Sequence, residues 1–205
     1  MFDLLTALLD SWTLWNRVAG SDDVGLAWRR VYLTLTYDAG AYSPYEDLIR
    51  EAARQAGVDG ARADALIARW GELEPWPEAP RVVRELRANG LRIGVATNSS
   101  VALAKIAVAC VGAPVDAVVT AEEAGYYKPR PEPYRLALQR LGVEAHDTLF
   151  VAGSAADVPG ASAVGMPVFW HNRMRLPAAD RRVTPLRVAD SLEPLVDVVL
   201  RHAGR

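Results

Sequence analysis

Four short stretches of this chain carry the side chains that a nucleophilic hydrolase needs. Phe2-Asp3-Leu4-Leu5 supplies a carboxylate, and Val95-Ala96-Thr97-Asn98-Ser99 a hydroxyl beside an amide. Tyr127-Lys128-Pro129-Arg130-Pro131 supplies a lysine, and Phe150-Val151-Ala152-Gly153-Ser154 leads to a second carboxylate, Asp157. Most of these polar residues follow an apolar, β-rich run, and an α/β sheet presents ligand-binding groups at the carboxyl ends of its strands.

Each residue type has a chemical use and an ordinary structural one. An attacking aspartate must be ionised, unobstructed and held by fixed donors; the loop after Asp3 can provide backbone N–H groups, although a strand-end Asp also caps turns. Thr97 and Asn98 stand just before a helix start, where open N–H groups favour anions; Ser99 or Ser100 serves as the helix cap. Lys128, held in a proline-stiffened segment, can neutralise two converging carboxylates or lie solvated on a loop. Asp157 follows a turn of small residues that permits close backbone approach; it can orient a water or cap the helix starting near Val158. Arg29, in Trp28-Arg29-Arg30, is a natural bidentate partner for a carboxylate or one charge on an amphipathic face.

The elements that must position these groups follow from pattern. Met1 to Leu5 reads as a strand with only two residues before Asp3, so it is truncated or its natural start lies upstream. Residues 10–70 read as helical. Ser21 caps a helix with Ala27, Val31 and Leu35 on its apolar face. Ser43-Pro44 starts another, with Leu48, Ala52 and Ala56 in register, and a third spans Gly60 to Trp70. The proline-rich run Glu74 to Pro80 is a rigid linker. Alternation then begins. A helix over Arg81–Ala88 precedes a strand over Leu91–Ala96, and a further helix follows Ser99-Ser100. Strands over Val115–Thr120, Thr148–Ala152 and Val168–Trp170 are separated by helices over Pro133–Leu141 and Val158–Ala163. This predicts an α/β fold with a doubly wound parallel sheet. Residues 1–11 and 75–205 form its Rossmann-like core, and residues 12–74 form a helical cap inserted after the first strand.

Bulk properties narrow the class. With 205 residues the chain can bury a sizeable core. A net charge of −2 gives no reason to expect nucleic acid or an anionic membrane as partner. One cysteine, Cys110, excludes an intrachain disulfide. No apolar run approaches the roughly 18 residues of a membrane span, and no signal peptide is visible, so the expected location is cytoplasmic.

Asp3, Thr97-Asn98, Lys128 and Asp157 together resemble the four motifs of the haloacid dehalogenase superfamily, along nearly the whole chain. The likeness is greatest to L-2-haloacid dehalogenases. Tyr134 six residues after Lys128, Trp28-Arg29 in a cap helix, and Trp170-His171-Asn172-Arg173 after a late strand are similar to their pattern. The resemblance implies catalytic roles for Asp3, Thr97, Lys128 and Asp157, and substrate contacts from Leu5, Arg29, Asn98, Tyr134, Ser154 and Asn172. Asp3 would displace a leaving group from C2 of a small carboxylic acid, and water would then open the aspartyl ester with help from Asp157 and Lys128. The resemblance implies no cofactor and no metal. It also brings, by analogy, a homodimer.

Two positions depart from the phosphatases of this superfamily. Leu5 and Gly153 stand where they carry aspartates, which leaves Asp3 and Asp157 as a poor Mg²⁺ site. Two positions also depart from the dehalogenases: Thr6-Ala7 replaces Gly-Thr, and Ala152-Gly153-Ser154 replaces Ser-Ser-Asn. The expectation is therefore a hydrolase acting at C2 of a 2-haloacid. The alternatives are a Mg²⁺-dependent phosphatase, an azetidine-2-carboxylate hydrolase with Asp10, Trp12 and Trp15 receiving the ammonium, and a non-catalytic binding protein on the same fold.

Overall fold

Phe2, a single paired residue, joins two halves of a parallel sheet in the computed structural model, which describes residues 1–203. Phe2 bridges Val95 on one side and Val151 on the other. Its N–H donates to the Gly94 carbonyl at 2.8 Å, and Asp3 N–H donates to Val151 at 2.9 Å. On one flank lie β1 (Gly94–Thr97) and β2 (Ala117–Thr120). On the other lie β3 (Phe150–Ala152), β4 (Val168–His171) and β5 (Arg187–Ala189). The sheet order is β2-β1-Phe2-β3-β4-β5, all parallel. Asp3 therefore leaves the central strand where the chain crosses from one half to the other, the position at which such sheets bind ligands.

Successive strand residues point to opposite faces. Phe2, Val95, Val151 and Phe169 pack with α5 (Ala79–Ala88), α6 (Val101–Cys110) and α10 (Leu195–Ala203). Ala96, Val119, Phe150, Ala152 and Trp170 pack with α8 (Pro131–Leu141) and α9 (Asp157–Ala163). β1, β2 and β3 begin two or three residues later than pattern predicts, whereas β4 begins at Val168 as expected; before β1 a side chain takes the backbone group, Ile93 N–H donating to the Asp116 carboxylate at 2.7 Å. β5 and α7 (Ala121–Ala124) were not expected from pattern. The first is an exposed three-residue edge and the second a single turn.

The expected strand over Met1–Leu5 ends early. Directly after Asp3 the chain winds into a π-turn over Leu4–Leu8, because the Asp3 carboxylate accepts from Thr6 N–H and Ala7 N–H. The helical segment follows as α1 (Ser11–Ala19), α2 (Asp22–Asp38), α3 (Tyr45–Gln55) and α4 (Gly60–Ala68). Ser21 caps α2 as anticipated, accepting from Val24 N–H. The buried face of α2, however, is Gly25, Trp28, Arg29, Tyr32 and Thr36, and Ala27 is exposed. Aromatic packing decides this: Trp15 and Trp28 lie 4.7 Å apart, Trp15 and Tyr32 5.3 Å, and the Trp28 indole donates to Ile49 O at 3.0 Å. Outgoing and returning chains run side by side. Leu9 pairs antiparallel with Pro75, Asp10 N–H donates to Glu74 O at 2.8 Å, and Trp76 N–H donates to Leu8 O at 3.0 Å.

Gly153 lets the π-turn sit against β3. A Cβ there would stand 2.3 Å from Thr6 Oγ1 and 2.4 Å from Ala7 N. Gly153→Ala is thus expected to lower stability by about 2 to 3 kcal/mol through overpacking. Urea unfolding measures this, and an unchanged midpoint would mean that the turn moves aside freely.

Candidate active site

Asp3, Lys128 and Asp157 converge in a buried triad. Lys128 Nζ donates to Asp3 Oδ1 at 2.8 Å and to Asp157 Oδ2 at 3.1 Å. Three elements deliver them: the end of the central strand, the segment before α8, and the first residue of α9. The other Asp3 oxygen, Oδ2, accepts from Thr6 N–H at 2.9 Å, Thr6 Oγ1 at 2.6 Å and Ala7 N–H at 3.2 Å. Four donors thus fix one carboxylate. The hydroxyl that the departure from Gly-Thr seemed to remove is supplied by Thr6 itself.

The charges follow from these contacts. Burial, the largest influence on Asp3, pushes its carboxyl upward, but the Lys128 charge and the bonds from Lys128 and Thr6 hold it below the ordinary carboxylate range. Asp157 is raised, because burial and the nearby Asp3 charge outweigh Lys128 and Tyr134. Burial lowers Lys128, yet the two carboxylates more than reverse that and it stays protonated. One carboxylate is therefore held ionised and the other is inclined to keep a proton.

A cavity of about 50 Å³ opens beside the triad. The site residues expected from sequence that line it are Asp3, Leu5, Arg29, Asn98, Lys128, Ser154 and Asp157. Arg29 is buried, with its guanidinium carbon 4.0 Å above the Trp12 ring and Nη2 donating to Ser11 Oγ at 2.8 Å. Its Nη1 is buried without a hydrogen-bond partner among the described residues. The Asn98 side chain holds the Lys128 backbone on both sides, donating to Lys128 O at 2.9 Å and accepting from Lys128 N–H at 2.7 Å. Ser154 Oγ accepts from Asp157 N–H at 3.2 Å.

Other expected contacts lie elsewhere. The Tyr134 hydroxyl does not line the cavity; it donates to Asp157 Oδ1 at 2.6 Å and so positions the second carboxylate. Thr97 is buried in β1 opposite Thr120, with its hydroxyl 3.4 Å from that of Ser99, away from the cavity lining. Asn172 is not brought to the site. Its amide staples the following loop, donating to Leu176 O at 2.9 Å and accepting from Leu176 N–H at 2.7 Å. The suggested ammonium site is not brought together: Trp15 lines the cavity beside the triad, while Asp10 and Trp12 line a separate groove. Arg29 stacks on Trp12, and Asp10 caps α1 through Thr13. Missed from sequence were Leu33 and Tyr37, which line the cavity with Arg29. Their spacing of four and eight residues from Arg29 is the signal, because such positions share one helix face.

Lys128→Met removes the only cation between two buried carboxylates, and breaking such a pair costs about 3 to 5 kcal/mol. Without Lys128, Asp3 and Asp157 both titrate above their unfolded values, so the folded variant binds more protons than its unfolded chain. Its stability should then rise as pH falls from about 7 to about 5. In the parent Asp3 pulls the other way, since its lowered value gives stability that is lost as pH falls through it, while the raised Asp157 alone leans in the variant's direction. Urea midpoints at both pH values test this, and a variant that does not gain on acidification would contradict it.

The haloacid dehalogenase-like hydrolase family matches residues 11–165. The chain is 28% identical to a (S)-2-haloacid dehalogenase of Pseudomonas sp. (strain YL), covering 100% of this chain and 95% of that protein. It is 27% identical to haloacetate dehalogenase H-2 of Moraxella sp. (strain B), over 87% and 83% of the two. A solved L-2-haloacid dehalogenase superposes with a TM-score of 0.85 at 25% identity, covering 97% of this chain and 96% of the other. With its parallel sheet, its carboxylate at the crossover and a family match over most of its length, the chain belongs to the haloacid dehalogenase-like hydrolases.

Proposed function

We propose that this hydrolase displaces halide from C2 of a small 2-haloacid, with Asp3 as nucleophile. One observation carries the reading: a buried Arg29 with an unpartnered Nη1 faces the same small cavity as the ionised Asp3. A buried cation with an open donor calls for an anion, and a substrate carboxylate held there leaves C2 beside Asp3. The apolar walls of Leu5, Trp15 and Leu33 suit carbon and halogen rather than a dianionic phosphate. The activities of the dehalogenase relatives agree with this choice.

The bonds then change as follows. An oxygen of Asp3 attacks C2 from the side opposite the halogen, the halide leaves with the bonding pair, and an aspartyl ester forms with C2 inverted. Arg29 and the N–H groups near Leu5 and Asn98 hold the substrate carboxylate, and the halide departs on the face of C2 away from Asp3. Water next attacks the carbonyl carbon of the Asp3 side chain and gives a proton to Asp157. Lys128 balances the oxyanion. On collapse the C2 oxygen leaves with its bonding pair and takes the proton of the Asp3 carboxyl, which frees the 2-hydroxy acid and restores the carboxylate, and Asp157 passes its proton to solvent. Residues 12–74 act as a cap over this chemistry, since Arg29, Leu33 and Tyr37 approach the strand ends from α2.

We further propose a cytoplasmic homodimer. Among the described residues no helix is long and apolar enough to cross a membrane. The homodimer follows the analogy with similar dehalogenases, and sedimentation velocity tests it.

Asp3→Asn should abolish halide release from 2-chloropropionate while leaving the fold intact, because an amide is no nucleophile. Turnover at the parent rate would remove Asp3 from the mechanism. Arg29→Ala should raise KM by about a hundredfold, the value of a lost charge-assisted bond. An unchanged KM would return Arg29 to a packing role. A Mg²⁺-dependent release of phosphate from p-nitrophenyl phosphate, without halide release from haloacids, would overturn the dehalogenase reading itself.

A further inference from the structure

We propose that His171 and Trp76, which do not line the cavity, are positioning residues that aim the donors at Asp3; this rests on Asp3 being the nucleophile. The π-turn after Asp3 ends without ordinary helical partners for its carbonyls. Thr6 O would take Asp10 N–H in an α-helix, but that group is drawn to Glu74 O at the paired crossing. Two side chains from the core fill the gap. Trp76 Nε1 donates to Thr6 O at 3.0 Å, and His171 Nδ1 lies 2.9 Å from Ala7 O.

These two contacts govern one planar group. Thr6 C=O and Ala7 N–H belong to the same rigid peptide unit, so the indole that holds the carbonyl also sets the direction of the N–H. That N–H points at Asp3 Oδ2. His171 holds the next carbonyl, which fixes the torsion on the far side of Ala7. The peptide is thus gripped on both sides, with the Thr6 N–H and hydroxyl converging on the same carboxylate oxygen.

The clamp is itself braced. Ala7 O can only accept, so His171 carries its proton on Nδ1, and Nε2 accepts from Arg173 Nε–H at 3.4 Å. Arg173 pairs with Glu78 and lies 4.6 Å from the centre of the Trp76 ring. Glu78 Oε1 also takes Leu192 N–H at 3.0 Å. Trp76 and His171 meet edge to face, with centroids 5.9 Å apart. The path from Glu78 to Asp3 consists entirely of direct hydrogen bonds and ring contacts.

His171→Leu removes the donor at similar volume. His171→Asn returns an amide nitrogen to the place of Nδ1, and Trp76→Phe removes only the indole donor. Two readouts serve: kcat and KM for 2-chloropropionate, and the titration midpoint of the Asp3 carboxyl by carbon-13 NMR. His171→Leu should lower kcat about tenfold, leave KM within about twofold and move the Asp3 midpoint upward. His171→Asn should recover both, and Trp76→Phe should reproduce the losses even if His171→Leu does not fold. Parent-like kcat and an unmoved Asp3 midpoint in folded variants would overturn the clamp. If the parent releases no halide, the proposed function falls, and the Asp3 midpoint alone decides for or against the clamp.

Discussion

A protonated lysine between two buried carboxylates is the interaction on which this molecule depends. Two like charges brought this close in a dry site cannot both ionise without a cation, and Lys128 Nζ touches both. The asymmetry around it matters as much as its charge. Asp3 gains three further donors from the π-turn, whereas Asp157 gains Tyr134 and a position deep in the core. One lysine therefore separates the two carboxyls into a low one and a raised one, which is the division of labour that attack followed by ester hydrolysis requires.

Backbone geometry holds that division in place. Asn98 fixes both polar groups of the Lys128 main chain, and Gly153 leaves the space that the π-turn fills. The same space explains why this chain has no acidic side chain at position 153: any Cβ would strike Thr6 and Ala7. From the opposite side, the aromatic series Trp15, Trp28, Tyr32 and Tyr45 stiffens the helices that carry Arg29. Between these parts lies the cavity of about 50 Å³.

Much of this was legible in the residues. The crossover aspartate, the lysine in its proline frame and the second aspartate announced themselves by order and by following apolar runs, and all three meet. Strand and helix alternation beyond residue 80 predicted the parallel sheet. What stayed hidden was set by tertiary contacts. The buried stripe of α2 turned by one residue because two indoles claimed the interior. The π-turn has no local pattern of its own; its cause is a carboxylate collecting N–H groups three and four residues on. Asn172 was expected at the site because the Trp170–Arg173 run resembles the dehalogenase pattern, but its amide closes its own loop. Trp76 and His171 could not be connected to residues 6 and 7 from sequence, since separations of 70 and 164 positions carry no periodic signal.

The paired crossing at Leu9 and Pro75 has an evolutionary consequence. Departing and returning chains are stitched together by backbone bonds at this root, and the helical segment between them is tied again at the Ala41–Tyr126 bridge, by Tyr127 to Ser43 O and by Ser100 to Glu46. Insertions or deletions between those ties leave the ends the same distance apart and the parallel register undisturbed. Such an arrangement is a socket: the helical segment can vary in length while the charge triad beneath keeps its geometry.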